Sequence, residues 1–126
     1  QNIILIRLAD IMLLRAEALN KIGGAANITE ALALLNIIRL RAGLPAYATE
    51  ADAIAMYGDL ESAILQERSV ELCYEGHRWF DLVRTGKAIS TMGPINGLSD
   101  EDNLVWPVHQ NTLNKNPNMT QNSFYD

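Results

Sequence analysis

The sequence predicts an all-α fold built on antiparallel helical hairpins, with a long irregular C-terminal tail. Three observations carry that expectation. Apolar residues recur at helical spacing through most of the first 86 positions, glycines punctuate the ends of those stretches, and the last third gives up the pattern for asparagine and proline. With 126 residues, 48% of them hydrophobic and 20% charged, the chain has the size and composition of a single helical domain, 1–126, able to bury a core without disulfides or metals.

In the first helix, about 3–22, Ile4, Leu8, Ile11, Ala18, Leu19 and Ile22 share one side, and Gly23-Gly24 supplies the stop. The second, about 28–42, starts at Asn27 followed by Glu30, a capping-box-like pair. Its stripe of Ala31, Leu32, Leu35, Ile38 and Ala42 ends at Gly43 and Pro45. So short a connection makes the two helices antiparallel neighbours. The run Glu17 to Gly23 followed by Glu30-Ala31-Leu32 resembles the spacing of a tetratricopeptide hairpin.

Residues 44–58 form a connection with room for one short helix after Thr49, bounded by Gly58. Asp59 is placed to N-cap a third helix, 59–75, with Glu61 in the first turn to suit the helix dipole. Gly76 interrupts, and a fourth helix, 77–85, ends at Gly86. The tail, 93–126, holds three of the four prolines and seven asparagines, and reads as non-helical. Its apolar residues Trp106, Val108, Leu113, Met119, Phe124 and Tyr125 give it grip on the helices.

Charge narrows the function. Ten basic against fifteen acidic residues leave a net charge of −5, so no basic face exists for nucleic acid. No run reaches the roughly 18 apolar residues of a membrane span, and Ile3 to Ile6 is too short for a signal sequence core. Gln1 opens directly into a helical pattern, which predicts an excerpt of a longer protein. Cys73, the single cysteine, sits within the third helical pattern and is expected to be a buried thiol.

The informative element runs from Asp59 to Gly86. Leu60, Ile64, Glu67, Glu71 and Glu75 are spaced four, three, four and four apart, so an apolar face turns into a carboxylate row. Three negatives at successive turns repel and call for facing cations. Arg78, Asp81 and Arg84 share a face beyond Gly76, with Arg68 inside the third helix. The expectation is a structural ionic network of Glu67, Arg68, Glu71, Glu75, Arg78, Asp81 and Arg84, in which Gly76 lets the chain bend and the Arg-Asp-Arg face meets the row.

Catalytic readings of these residues fail on chemistry. A di-iron bundle needs Glu-x-x-His pairs, and the sequence has none. A glycosidase needs one carboxyl kept protonated, whereas interleaved arginines keep carboxylates ionised. His77 and His109 stand 32 positions apart with no further ligand at metal spacing, which predicts no metal and no cofactor. No Gly-x-Ser-x-Gly, phosphate loop or Gly-x-Gly-x-x-Gly occurs, so no catalytic residue is assigned. Trp79, Phe80 and Trp106 have the faces to stack on sugar rings; at helical spacing Trp79 is expected in the core.

Four stretches together carry a family resemblance. They are Arg7-Leu8-Ala9-Asp10 with Ala16-Glu17-Ala18-Leu19-Asn20, then Asn36 to Leu44 (Asn-x-x-Arg-x-Arg-Ala-Gly-Leu), then Glu67 to Gly86, and finally Asn116 to Asn122 with Tyr125. In this order the chain resembles the C-terminal portion of a SusD/RagB-type outer-membrane nutrient-binding lipoprotein. Ser69 departs from a common basic residue, His109 from a common proline, and Ser123-Phe124 from a usual Pro-Gly. The resemblance implies a helical, tetratricopeptide-like fold and a non-catalytic glycan- or nutrient-binding component, anchored by lipid through a missing N-terminal part and facing outward on an outer membrane. It implies a SusC-like TonB-dependent transporter as partner. It carries no ligand-binding residue onto this chain, because the matching motifs are scaffold motifs. A tetratricopeptide-like adaptor that binds a peptide is the alternative.

Overall fold

The structure, a computed structural model, describes residues 6–125. Among them it contains seven α-helices and two short 3-10 turns, and no strand. The chain divides into two compact units, residues 1–78 and 79–126.

In the first unit α1 (Leu8–Ile22) and α2 (Ala25–Arg41) form the hairpin. Gly23 and Gly24 join them at φ +74° and +87°, a backbone region that side chains other than glycine's strongly resist. Positions 3–5 of the expected first helix lie outside the described residues, and Arg7 is extended at the helix N-cap. The start of α2 also differs from expectation. Asn27 is inside the helix, its Nδ2 donating to the Gly23 carbonyl at 2.7 Å, while Glu30 pairs with Arg15 across the hairpin.

α3 (Glu50–Tyr57) fills the expected place after Thr49 and is closed by a Thr49–Asp52 capping box. α4 (Leu60–Glu71) starts where Asp59 Oδ1 accepts from the Ser62 amide at 2.5 Å. Replacing that cap, Asp59→Ala, is expected to cost about 1 kcal/mol in urea unfolding. An unchanged midpoint would show that the cap is idle.

The core of this unit joins both helices of the hairpin to α3 and α4: Leu13, Ala16, Ala31, Leu35, Ile38, Tyr47, Ala53, Leu60, Ala63 and Ile64 are buried together. Four residues earlier than expected, α4 stops at Glu71, because Tyr74 at φ +65° and Gly76 at φ +81° turn the chain out of helical geometry. Cys73 therefore lies in a turn and is exposed, correcting the expected buried thiol.

The second unit holds α5 (Arg78–Arg84), which begins at the unit boundary, then α6 (Ala88–Asn96) and α7 (Gln110–Lys115), with 3-10 turns at Glu101–Leu104 and Ser123–Tyr125. The tail is less irregular than composition suggested. The His109 ring Nδ1 accepts from the Asn111 amide at 3.1 Å and caps α7, and Gln110 bonds Asn114 one turn on at 3.0 Å. Gln121 clamps Val108 from both sides of its peptide, at 2.7 and 3.0 Å. Gly93 is needed because a Cβ there would lie 2.8 Å from the Leu98 carbonyl oxygen.

Candidate functional site

Polar residues that interrupt apolar helix faces converge in the first unit. Asp10 lies in the first turn of α1 and Arg68 in the last turn of α4, and both are buried. Arg68 Nη1 donates to Asp10 Oδ1 at 2.8 Å and to the Asp10 carbonyl at 3.2 Å. Beside them Arg39, in the last turn of α2, does three things. It donates to Glu67 Oε2 at 3.1 Å and to the Pro45 carbonyl at 3.0 Å, and its guanidinium lies 3.9 Å over the Tyr47 ring. Asn36, one turn earlier, exchanges two 2.8 Å hydrogen bonds with the Tyr47 backbone. Together Asn36 and Arg39 tie the 44–49 connection to α2. Burial pushes the Tyr47 hydroxyl above its ordinary range.

At the C-terminal end of α4, Arg7 spans Glu71 and Glu75. It donates through Nε to both Glu75 oxygens, at 2.9 and 3.0 Å, and through its terminal nitrogens to the Glu71 carboxylate and carbonyl. Arg41 takes the other Glu71 oxygen. Two guanidiniums on one carboxylate neutralise the end of the row and fix α1, α2 and α4 against each other. Lys21 and Glu61 pair at 2.9 Å on a different stretch of α1 and α4.

The carboxylate row thus meets Arg7, Arg39 and Arg41, cations that spacing alone did not point to. Arg78 donates to the Leu65 carbonyl at 3.1 Å. Asp81 and Arg84 stand on α5, where Arg84 donates to Asp81 Oδ1 from Nε at 3.1 Å and from Nη2 at 2.8 Å. Glu75 lies beyond the end of α4, so it joins the row through the turn rather than through helical periodicity.

Arg7's hydrogen bonds hold the Glu75 carboxyl below its ordinary value of 4.5 and raise the Arg7 guanidinium further above its own. A depressed carboxyl favours the folded state above the unfolded-state value, and that contribution is lost as pH falls through the folded one. Wild-type stability should therefore fall more steeply than that of Glu75→Gln as pH drops below about 4.5, read as urea midpoints. Parallel curves would remove Glu75 from the acid response.

In the second unit Trp79, Asn103, Leu104, Val105, Trp106 and Tyr125 line a cleft of about 150 Å³. Trp79 is half-buried rather than in the core, and Trp106 is 79% exposed. Among the described residues no group of three or more His, Cys, Asp and Glu is arranged to hold a metal ion, and no helix is long and apolar enough to cross a membrane.

The ends of the α1–α2 hairpin are thus tied to α4 by arginine–carboxylate bonds, Asp10 with Arg68, Arg39 with Glu67, and Arg7 and Arg41 with Glu71. The residues of the network, Arg7 with Asp10, Asn36 with Arg39 and Arg41, and Glu67 with Arg68, Glu71 and Glu75, fall in three separated stretches of one family pattern. The chain belongs to the SusD family, whose model matches residues 1–125. It is 48% identical to SusD-like protein P38 of Formosa agariphila over 98% of this chain and 25% of that protein. SusD-like protein P2 of the same organism is 32% identical over 97% of this chain and 25% of its own length. The chain thus spans about a quarter of the curated relatives it matches. No solved structure matches it.

Proposed function

We propose that this chain is part of the frame of a non-catalytic protein that captures glycans or related nutrients at the outer membrane and hands them to a SusC-like TonB-dependent transporter, held there by a lipid anchor elsewhere in the longer polypeptide. The family match over residues 1–125 carries the reading. The chemistry of the network supports it. Glu67, Glu71 and Asp10 each bond a guanidinium from another part of the chain, so each is engaged in joining one helix to another. These residues fix helices, and the nutrient is held by other parts of the protein.

Calorimetric titration of the full-length protein with a panel of oligosaccharides, run beside a peptide panel and a reducing-end assay, tests the reading. Saturable binding of at least one oligosaccharide without hydrolysis is the expected result. Peptide affinity with no sugar or nutrient binding would favour an adaptor, and release of reducing ends would make the protein an enzyme.

A further inference from the structure

In the second unit, α5, the first 3-10 turn and the end of the tail bring Trp79, Trp106 and Tyr125 to one small cleft, beside the amide of Asn103. Its volume of about 150 Å³ is below the roughly 300–1,000 Å³ of sites that enclose drug-sized ligands, so it has room for one ring of a larger molecule. Trp106 is 79% exposed, although a large aromatic side chain gains much from burial. That exposure is held in place. Asn122 Nδ2 donates to the Trp106 carbonyl, Ser123 Oγ donates to Asp102 Oδ2, and Gln121 clamps Val108 as described above. The Phe124 ring meets Tyr125 edge-on, with centroids 5.2 Å apart. Polar bonds that use none of the rings therefore fix segments 102–108 and 121–125 to each other, which lowers the ordering cost of binding at the cleft.

Charge and hydrogen bonding narrow the ligand. No charged side chain lines the cleft, and Asp100, Glu101 and Asp102 directly precede Asn103. From residue 88 to the end the sequence holds one basic residue, Lys115, against these three and Asp126. An anion would approach an acidic stretch with no cation to meet it, which disfavours phosphates and sugar acids. The Asn103 side chain bonds no other described residue, so its amide is free both to donate to a hydroxyl and to accept from one. A ligand apolar throughout would leave that amide unpaired. Flat aromatic faces beside an amide complement a pyranose ring, which is apolar across its C–H face and carries hydroxyls around its rim.

We propose that the cleft between Trp79, Trp106 and Tyr125 holds one uncharged pyranose ring of an oligosaccharide, stacked on Trp106 and hydrogen-bonded by Asn103. This rests on the nutrient-binding reading and adds to it a contact on this chain and a preference for neutral sugars.

The test is hydroxyl-radical footprinting of the full-length protein, with oxidation of Trp106 read by peptide mass mapping. Cellohexaose, laminarihexaose and maltohexaose are the uncharged probes and hexagalacturonate the charged one, each first titrated by calorimetry. The expected result is a Trp106 that oxidises readily alone and at least about twofold more slowly with a bound neutral probe, since a stacked sugar covers one of the two indole faces. Trp106→Ala should weaken that probe about tenfold at an unchanged melting midpoint, and Trp106→Phe by less, because a phenyl face remains. A Trp106 shielded before sugar is added, or oxidised equally with and without a bound probe, would overturn the cleft and leave nutrient binding standing. Protection by hexagalacturonate alone would overturn the neutral preference. Binding of no sugar at all would overturn both this proposal and the reading it rests on. If Trp106→Ala fails to fold, footprinting of the wild-type protein decides.

Discussion

Arg68→Ala is expected to destabilise the protein by about 3–5 kcal/mol, among the largest effects available to one substitution. Arg68 is 2% exposed and its guanidinium bonds both the side chain and the backbone of Asp10, which is itself buried. Truncation leaves that carboxylate in a water-poor interior without its cation, and the full desolvation cost appears. Replacing both partners together, as Arg68→Met with Asp10→Leu, should recover most of the loss. The asymmetry separates a buried ion pair from simple loss of packing. Urea unfolding of the single and double variants reads it, and equal losses in both would mean that the pair itself matters little.

Leu13→Ala is expected to cost about 2–5 kcal/mol. Leu13 is fully buried in α1, in the cluster that includes Leu35 and Ile64. Removing it opens a cavity at the junction of three helices whose ends the arginine bonds restrain, so collapse around the gap is limited and the upper half of that range is expected. Leu8→Ala, on the exposed outer face of the same helix, provides the contrast. In the 126-residue chain it should shift the midpoint by less than about 0.5 kcal/mol. Losses of similar size at both positions would contradict the assignment of the two faces.

The helices were legible where a local pattern sufficed. The apolar period of α2, the double glycine before it and the Asp59 cap all act within a few residues of one another, and the structure follows them; the stripe read in α1 is not its core face, since Leu8, Ile11 and Ile22 are exposed while Leu13 and Ala16 are buried. The end of α4 was misplaced because Glu75 continues the four-residue spacing, while the turn that removes it from the helix depends on Tyr74 adopting a positive φ. The exposure of Cys73 follows from the same error. The His109 cap and the Gln110–Asn114 bond that accompany α7 were hidden by an asparagine-rich composition.

The ionic partners were out of reach of spacing for a different reason. Arg39 and Glu67 are 28 positions apart, Asp10 and Arg68 are 58 apart, and Arg7 and Glu71 are 64 apart. Periodicity along one element carries no information about pairs so distant. Spacing could reach only cations near in sequence, Arg78 and Arg84 among them. The usable signal was a charge set inside an otherwise apolar run: Asp10 between Ala9 and Ile11, and Arg39 between Ile38 and Leu40. Each needed a buried opposite charge, and α4 held the complementary set.

If, as proposed, these charges build the frame and do not hold the ligand, binding should survive the loss of one of them. Glu71→Gln in the full-length protein tests it most directly, because Glu71 receives Arg7 and Arg41 together. The thermal midpoint and the oligosaccharide affinity are measured on the same preparation. A lower midpoint with an affinity within about twofold of wild type is the expected result. An affinity weakened tenfold or more at an unchanged midpoint would place the ligand on the network and contradict it.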